Sequence, residues 1–124
     1  MGLRVLVAED DVLIAMQLGS ILEDLGHDAC WFATSGPEAM ELARRHKPDL
    51  VTMDGHLAAG TSGILAASAI SSTLGIPVVM VSGHLDAQTA QDAGAVVLVG
   101  KPFQPADIEN ALHIACKLRL PTQS

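Results

Sequence analysis

Hydrophobic residues in this chain come in short solid runs, separated by longer stretches where they recur at helical spacing. The runs are Leu3 to Ala8, Leu50 to Met53, Pro77 to Val81 and Ala95 to Val99, with a weaker one from His27 to Ala33 interrupted by Asp28. A brief apolar run bounded by turn residues reads as a strand buried on both faces. After the first run, Val12, Leu13, Ile14, Met16, Leu18, Ile21, Leu22 and Leu25 predict a helix stopping at Gly26. Ser35-Gly36-Pro37-Glu38 is a capping box with proline in the first turn. It opens a helix to His46, where Arg44, Arg45, His46 and Lys47 suit the negative C-terminal end. Further helices are predicted from Ser62-Gly63 through Thr73 to Gly75 and from Ala87 to Ala93. A last one starts at Pro105 and carries Ile108, Leu112, Ala115 and Leu118 on one face.

Five strands alternating with five helices predict an α/β fold with a parallel sheet covered on both faces. Right-handed crossovers then favour a doubly wound strand order of 2-1-3-4-5.

Composition narrows the function more than the fold. The 124 residues suffice for one core and one domain. A net charge of -7 without a basic cluster argues against nucleic acid or an anionic membrane as direct partner. No apolar run is long enough to span a bilayer, and Met1-Gly2-Leu3-Arg4 lacks a signal-peptide pattern. Cys30 and Cys116 fall inside a predicted strand and helix, without metal-ligand spacing. They read as small buried hydrophobes in a reducing cytosol.

All strands of a parallel sheet end on one edge. The polar residues at those ends are Glu9 and Asp10 (first strand), Asp54 (third), Ser82 (fourth) and Lys101 (fifth). Three carboxylates on one rim repel one another and call for a cation. All-oxygen, incomplete ligation suits Mg²⁺, with water and a phosphate completing the shell. An aspartate there can attack a phosphoryl donor and become an acyl phosphate. Lys101 offers a mobile positive charge for a phosphoryl oxygen, and Ser82 a hydroxyl donor. Taken singly, an acidic run before a helix is a cap, Ser82 a turn residue and Lys101 a solvated charge. One at each correct strand end, they point to a site.

Val5-Leu6-Val7-Ala8-Glu9-Asp10-Asp11, Pro48-Asp49-Leu50 running to Asp54, Ile76 to Gly83, and Gly100-Lys101-Pro102-Phe103 resemble the receiver domain of two-component response regulators. The resemblance covers essentially residues 1–124 and implies the flavodoxin-like receiver fold as one stand-alone domain, with no output domain following. It implies Asp54 as phosphoacceptor, Mg²⁺ held by Glu9, Asp10, Asp54 and the backbone carbonyl of His56, and signalling roles for Ser82 and Lys101. A cis Lys101–Pro102 peptide is implied as well. The phosphoryl donor would be a sensor histidine kinase or a histidine phosphotransfer protein, and the output a changed affinity for a separate, unnamed protein. Such a chain is a cytoplasmic switch, not an enzyme with a separate substrate. It catalyses only its own phosphorylation and dephosphorylation.

Several residues depart from that pattern. Leu98 stands where an aromatic switch residue is usual, Ala58 where proline is common, and Gly83 where alanine is common. The loop Ala58-Ala59-Gly60-Thr61 is also one residue longer. These traits resemble stand-alone receivers that work with unusual sensor kinases. His56 and His84 lie two residues beyond Asp54 and Ser82, where they and Leu98 could tune phosphoryl lifetime or readout. His27, His46 and His113 read as structural. Alternatives are a phosphate shuttle or sink in a phosphorelay and, more distantly, an Asp-nucleophile phosphatase of the haloacid-dehalogenase type. The latter wants an Asp-x-Asp pair where Glu9-Asp10-Asp11 stands. A nucleotide or flavin module would need a glycine-rich loop there instead of acids.

Overall fold

The computed structural model describes residues 2–58 and 61–119, with side chains as far as residue 117. Strands β1 (Arg4–Ala8), β2 (Asp28–Ala33), β3 (Leu50–Met53), β4 (Val78–Ser82) and β5 (Val97–Gly100) form one sheet in the order β2-β1-β3-β4-β5. Every adjacent pair is parallel. The intervening helices are α1 (Val12–Asp24), α2 (Gly36–His46), α3 (Gly63–Ala69), α4 (Ala87–Asp92) and α5 (Pro105–Arg119). This is the doubly wound order predicted from the alternation.

Successive residues of a strand point to opposite faces, so the solid runs divide into two cores. Leu6, Ala8, Val51, Met53, Val78 and Met80 pack with Ala39 and Ala43 of α2, Ala66 and Ala67 of α3, and Ala90 of α4. Val5, Val7, Leu50, Val79, Val81 and Val99 pack with Leu18 and Leu22 of α1 and Ile108 and Leu112 of α5. Small alanines on α2, α3 and α4 let these helices lie close to the sheet without aromatic residues.

Most helix starts are capped as their sequences predict. Asp11 accepts from the N–H groups of Leu13 and Ile14, and Ser35, Ser62 and Asp86 cap α2, α3 and α4. The box at α2 closes differently, because Glu38 accepts from the N–H of Thr34 (2.8 Å) rather than of Ser35. Beyond α3, Ile70–Leu74 widens into a π-helical turn, where the Ser72 hydroxyl donates to the Ser68 carbonyl (2.7 Å). The predicted helix to Thr73 is therefore one continuous rod of two geometries. Gly75, at φ 68°, ends it in the left-handed conformation that glycine adopts freely.

Two expectations need correction. Cys30 is exposed and Cys116 only half-buried, so neither is a core hydrophobe. The reason lies in β2, an edge strand: pairing steps from Val5↔Ala29 to Leu6↔Trp31, leaving Cys30 as the extra residue of a bulge. In α1, Val12, Leu13 and Met16 are exposed, at 66%, 77% and 64%. More apolar residues sit on this helix than one face can bury, and the sheet takes only Ala15, Leu18, Gly19, Ile21 and Leu22. Ala59 and Gly60 of the lengthened loop, and the side chain of Leu118, lie outside the described residues.

Candidate functional site

The C-terminal ends of β1, β3, β4 and β5 converge on one open cleft of about 600 Å³. Its lining includes Glu9, Asp10, Asp54, His56, Ser82, His84 and Lys101, together with Ile14 and Gln17 from α1. The structure thus brings together every predicted site residue except Leu98. That side chain lies half-buried against the core on the α2, α3 and α4 face and borders a separate hollow with Lys101, Asn110 and Ile114.

Backbone register places the acids. The N–H of Glu9 donates to Ala33 O (2.9 Å) and that of Asp54 to Ala8 O (3.0 Å), tying each strand end to its neighbour. Glu9 and Asp54 are buried, at 3% and 8% exposure, while Asp10 faces solvent. One carboxylate oxygen from each of the three lies within 4.8 Å of the others. Asp11, the remaining acid of the run, is the α1 cap and lies at the cleft edge.

Lys101 neutralises the floor. Its ammonium donates to Glu9 Oε1 (2.8 Å) and to Asp54 Oδ2 (3.1 Å). The free oxygens are also committed: Glu9 Oε2 accepts from the N–H of Asp11 (3.2 Å) and Asp54 Oδ1 from that of His56 (3.1 Å). Burial pushes the Glu9 carboxyl up to about 6, with the Lys101 bond pulling down and Asp54 pushing further up. Desolvation draws the Lys101 ammonium down, but bonding to Glu9 and Asp54 outweighs it and leaves the group above its ordinary value. A buried pair of acids sharing one tethered cation is a site built for more positive charge than the chain supplies. Its all-oxygen donors match a hard divalent ion.

The second half of the site rests on β4 and β5. Ser82 is buried, and its Oγ accepts from the N–H of His84 (3.2 Å). The N–H of Lys101 donates to Ser82 O (3.1 Å), and the Lys101–Pro102 peptide is cis. His56 and His84 are exposed at the rim, their rings edge to face at 6.2 Å between centroids. His27 and His46 are structural as read: His27 Nδ1 accepts from the N–H of Leu3 (3.0 Å), and His46 stacks on Trp31 (4.8 Å). His113 is exposed on α5.

Sequence reasoning passed over two glycines that shape the site. A Cβ on Gly63 would stand 1.7 Å from the Asp54 carbonyl oxygen, and one on Gly55 would meet Leu85 at 2.8 Å. Their signal was available: one follows the strand-end aspartate directly and the other opens the next helix, where loop and helix must close together. The α1 contribution had no such signal, since it depends on how the helix sits over the sheet.

Comparison with known proteins agrees with this geometry. Residues 5–113 match the family model described as "Response regulator receiver domain". The transcriptional regulatory protein PdtaR of Mycobacterium tuberculosis is 41% identical over 115 residues, covering 90% of this chain but 56% of that protein. The chain thus spans little more than half the length of that relative. The chemotaxis protein CheY of Thermotoga maritima is 34% identical over 121 residues, covering 94% of this chain and 100% of its own. Among solved structures, the receiver domain of the PhyR response regulator from Erythrobacter litoralis superimposes with a TM-score of 0.85 at 31% identity, covering 99% and 96% of the two chains. This chain belongs to the response regulator receiver domain family.

Proposed function

We propose that this protein is a phosphorylation-dependent switch of a two-component system, with Asp54 as phosphoacceptor. The observation that carries the reading is Lys101 spanning Glu9 and Asp54 at the floor of an open cleft, with Asp10 beside them. Glu9, Asp10, Asp54 and the His56 carbonyl would hold Mg²⁺, which supplies positive charge for the acids and for an incoming phosphoryl group. Asp54 Oδ attacks the phosphorus of a phosphohistidine in line. The new O–P bond forms as the P–N bond breaks, and the imidazole leaves with the electron pair. Lys101, already 3.1 Å from Asp54, moves to a phosphoryl oxygen, and the Ser82 hydroxyl donates to another. Attack of water on the phosphorus breaks the new O–P bond, releases inorganic phosphate and restores the Asp54 carboxylate, so the chain turns over only its own phosphoryl group.

The exposed α1 residues Val12, Leu13 and Met16 flank Ile14 and Gln17 at the cleft wall. Such an apolar collar beside a charged cleft suits docking of a helical phosphodonor, a sensor kinase or phosphotransfer protein. Readout runs through the face formed by α4, β5 and α5, around half-buried Leu98, to a separate protein. The names of these relatives, a transcriptional regulatory protein and a chemotaxis protein, are in keeping with a signalling output. Free Cys30 and Cys116 support a reducing, cytoplasmic setting. Among the described residues no helix is long and apolar enough to cross a membrane.

The test is intact mass after incubation with Mg²⁺ and acetyl phosphate, wild type beside Asp54→Asn. One base-labile phosphate adduct on the wild type, absent from the variant, is the expected result. An adduct that survives in Asp54→Asn would move the acceptor elsewhere, and none on either protein would overturn the switch.

A further inference from the structure

The cleft holds a second set of metal donors that the phosphoryl chemistry does not use. His56 and His84 face each other across the mouth, with ring centroids 6.2 Å apart and planes at 63°. Their placement has a common local cause. Each lies two residues beyond the last polar group of an adjacent parallel strand, and each has its N–H bound back to that group, Asp54 Oδ1 (3.1 Å) and Ser82 Oγ (3.2 Å). The paired turns hold both imidazoles over the same opening. No side-chain hydrogen bond among the described residues engages either ring, whereas His27 spends Nδ1 on the Leu3 N–H.

The ring spacing admits an ion between them. With a zinc–nitrogen bond of about 2.1 Å, a ring centroid lies about 3.2 Å from the metal, and two rings at a tetrahedral angle stand about 5.2 Å apart. The observed 6.2 Å exceeds that by about 1 Å, within reach of side-chain rotation for two exposed residues. The floor and the rim also differ in kind. Carboxylates at Glu9, Asp10 and Asp54 favour a hard ion, while imidazoles favour Zn²⁺, Ni²⁺ or Cu²⁺. The negative cleft, with Asp10 and Asp11 beside the rim, concentrates cations of either type.

We propose that His56 and His84 form a binding site for a borderline divalent transition ion, distinct from the carboxylate site below. Water completes its coordination. An ion there lies across the path of any phosphoryl donor to Asp54, so occupancy inhibits phosphorylation. That consequence, unlike the binding itself, rests on the switch reading above.

Calorimetric titration with Zn²⁺ tests the site, in saturating Mg²⁺ and on a Cys30→Ser background that removes the exposed thiol. One Zn²⁺ per chain is expected, retained in Asp54→Asn and weakened at least tenfold in His56→Ala and in His84→Ala, with circular dichroism confirming that each variant folds. Absence of binding, unchanged binding in both histidine variants, displacement by Mg²⁺ or loss in Asp54→Asn would each overturn it. Because these arms need no phosphorylation, failure of the switch leaves them readable. Acetyl-phosphate labelling that Zn²⁺ blocks in the parent but not in the His56→Ala, His84→Ala double variant would establish the inhibition, and equal block in both would refute it.

Discussion

Glu9→Gln should make the metal-free protein more stable at neutral pH. Glu9 is 3% exposed and its carboxyl is raised from 4.5 to about 6, so folding favours its protonated form. An acid with a raised folded pKa stabilises least when ionised. The penalty is small below pH 4.5, grows as pH rises and is complete above about 6. The cost is slight at pH 4, intermediate at pH 5 and on the order of 2 kcal/mol at pH 7.5. Glutamine mimics the protonated acid and removes the term, at the same volume and with an oxygen still able to accept from Lys101. The assay is urea unfolding followed by Trp31 fluorescence in EDTA at pH 4, 5 and 7.5, wild type against variant. The stability gap should open with pH toward ~2 kcal/mol in favour of the variant. Mg²⁺ at ten times its Kd should add ~1.4 kcal/mol to the wild type and less to a variant lacking one ligand, narrowing the gap. A variant no more stable than wild type at pH 7.5, or a gap independent of pH, would refute the reasoning.

Other sites give sharper structural tests. Thr52 lies between Val7 and Val79 in register, buried, with Oγ1 unpartnered among the described residues. Thr52→Val should stabilise by about 1 kcal/mol in the same urea assay, since a hydroxyl without a bond is exchanged for a methyl. Gly63→Ala places a Cβ at 1.7 Å from the Asp54 carbonyl oxygen, so the loop must move. A loss of about 2–4 kcal/mol and slower acetyl-phosphate labelling are expected, and a neutral outcome in both would show that the loop yields freely. Asp11→Ala removes the acceptor for the N–H groups of Leu13 and Ile14. It should cost about 1 kcal/mol while leaving Asp54 reactive, which separates the cap from the site acids beside it.

What the sequence by itself determined was whatever depends on neighbours along the chain. A strand buried on both faces must be apolar at every position, so β3 and β4, with no exposed residue, stood out as solid runs. Helix starts need local acceptors, so Asp11, Ser35 and Ser62 marked them. Parallel strands share an edge, so Glu9, Asp54, Ser82 and Lys101 are expected to meet from their places at the strand ends alone. The tertiary structure decided what depends on which surfaces touch. Whether Val12, Leu13 and Met16 of α1 are covered depends on how that helix lies on the sheet, and it leaves them exposed. The bulge that turns Cys30 outward depends on the register of an edge strand, which side-chain alternation alone does not set. Distances within the site belong to the same class. That Lys101 reaches Glu9 at 2.8 Å, across a separation of 92 residues, follows from the two strands ending on one rim and from the burial that makes an ionised acid keep its cation close.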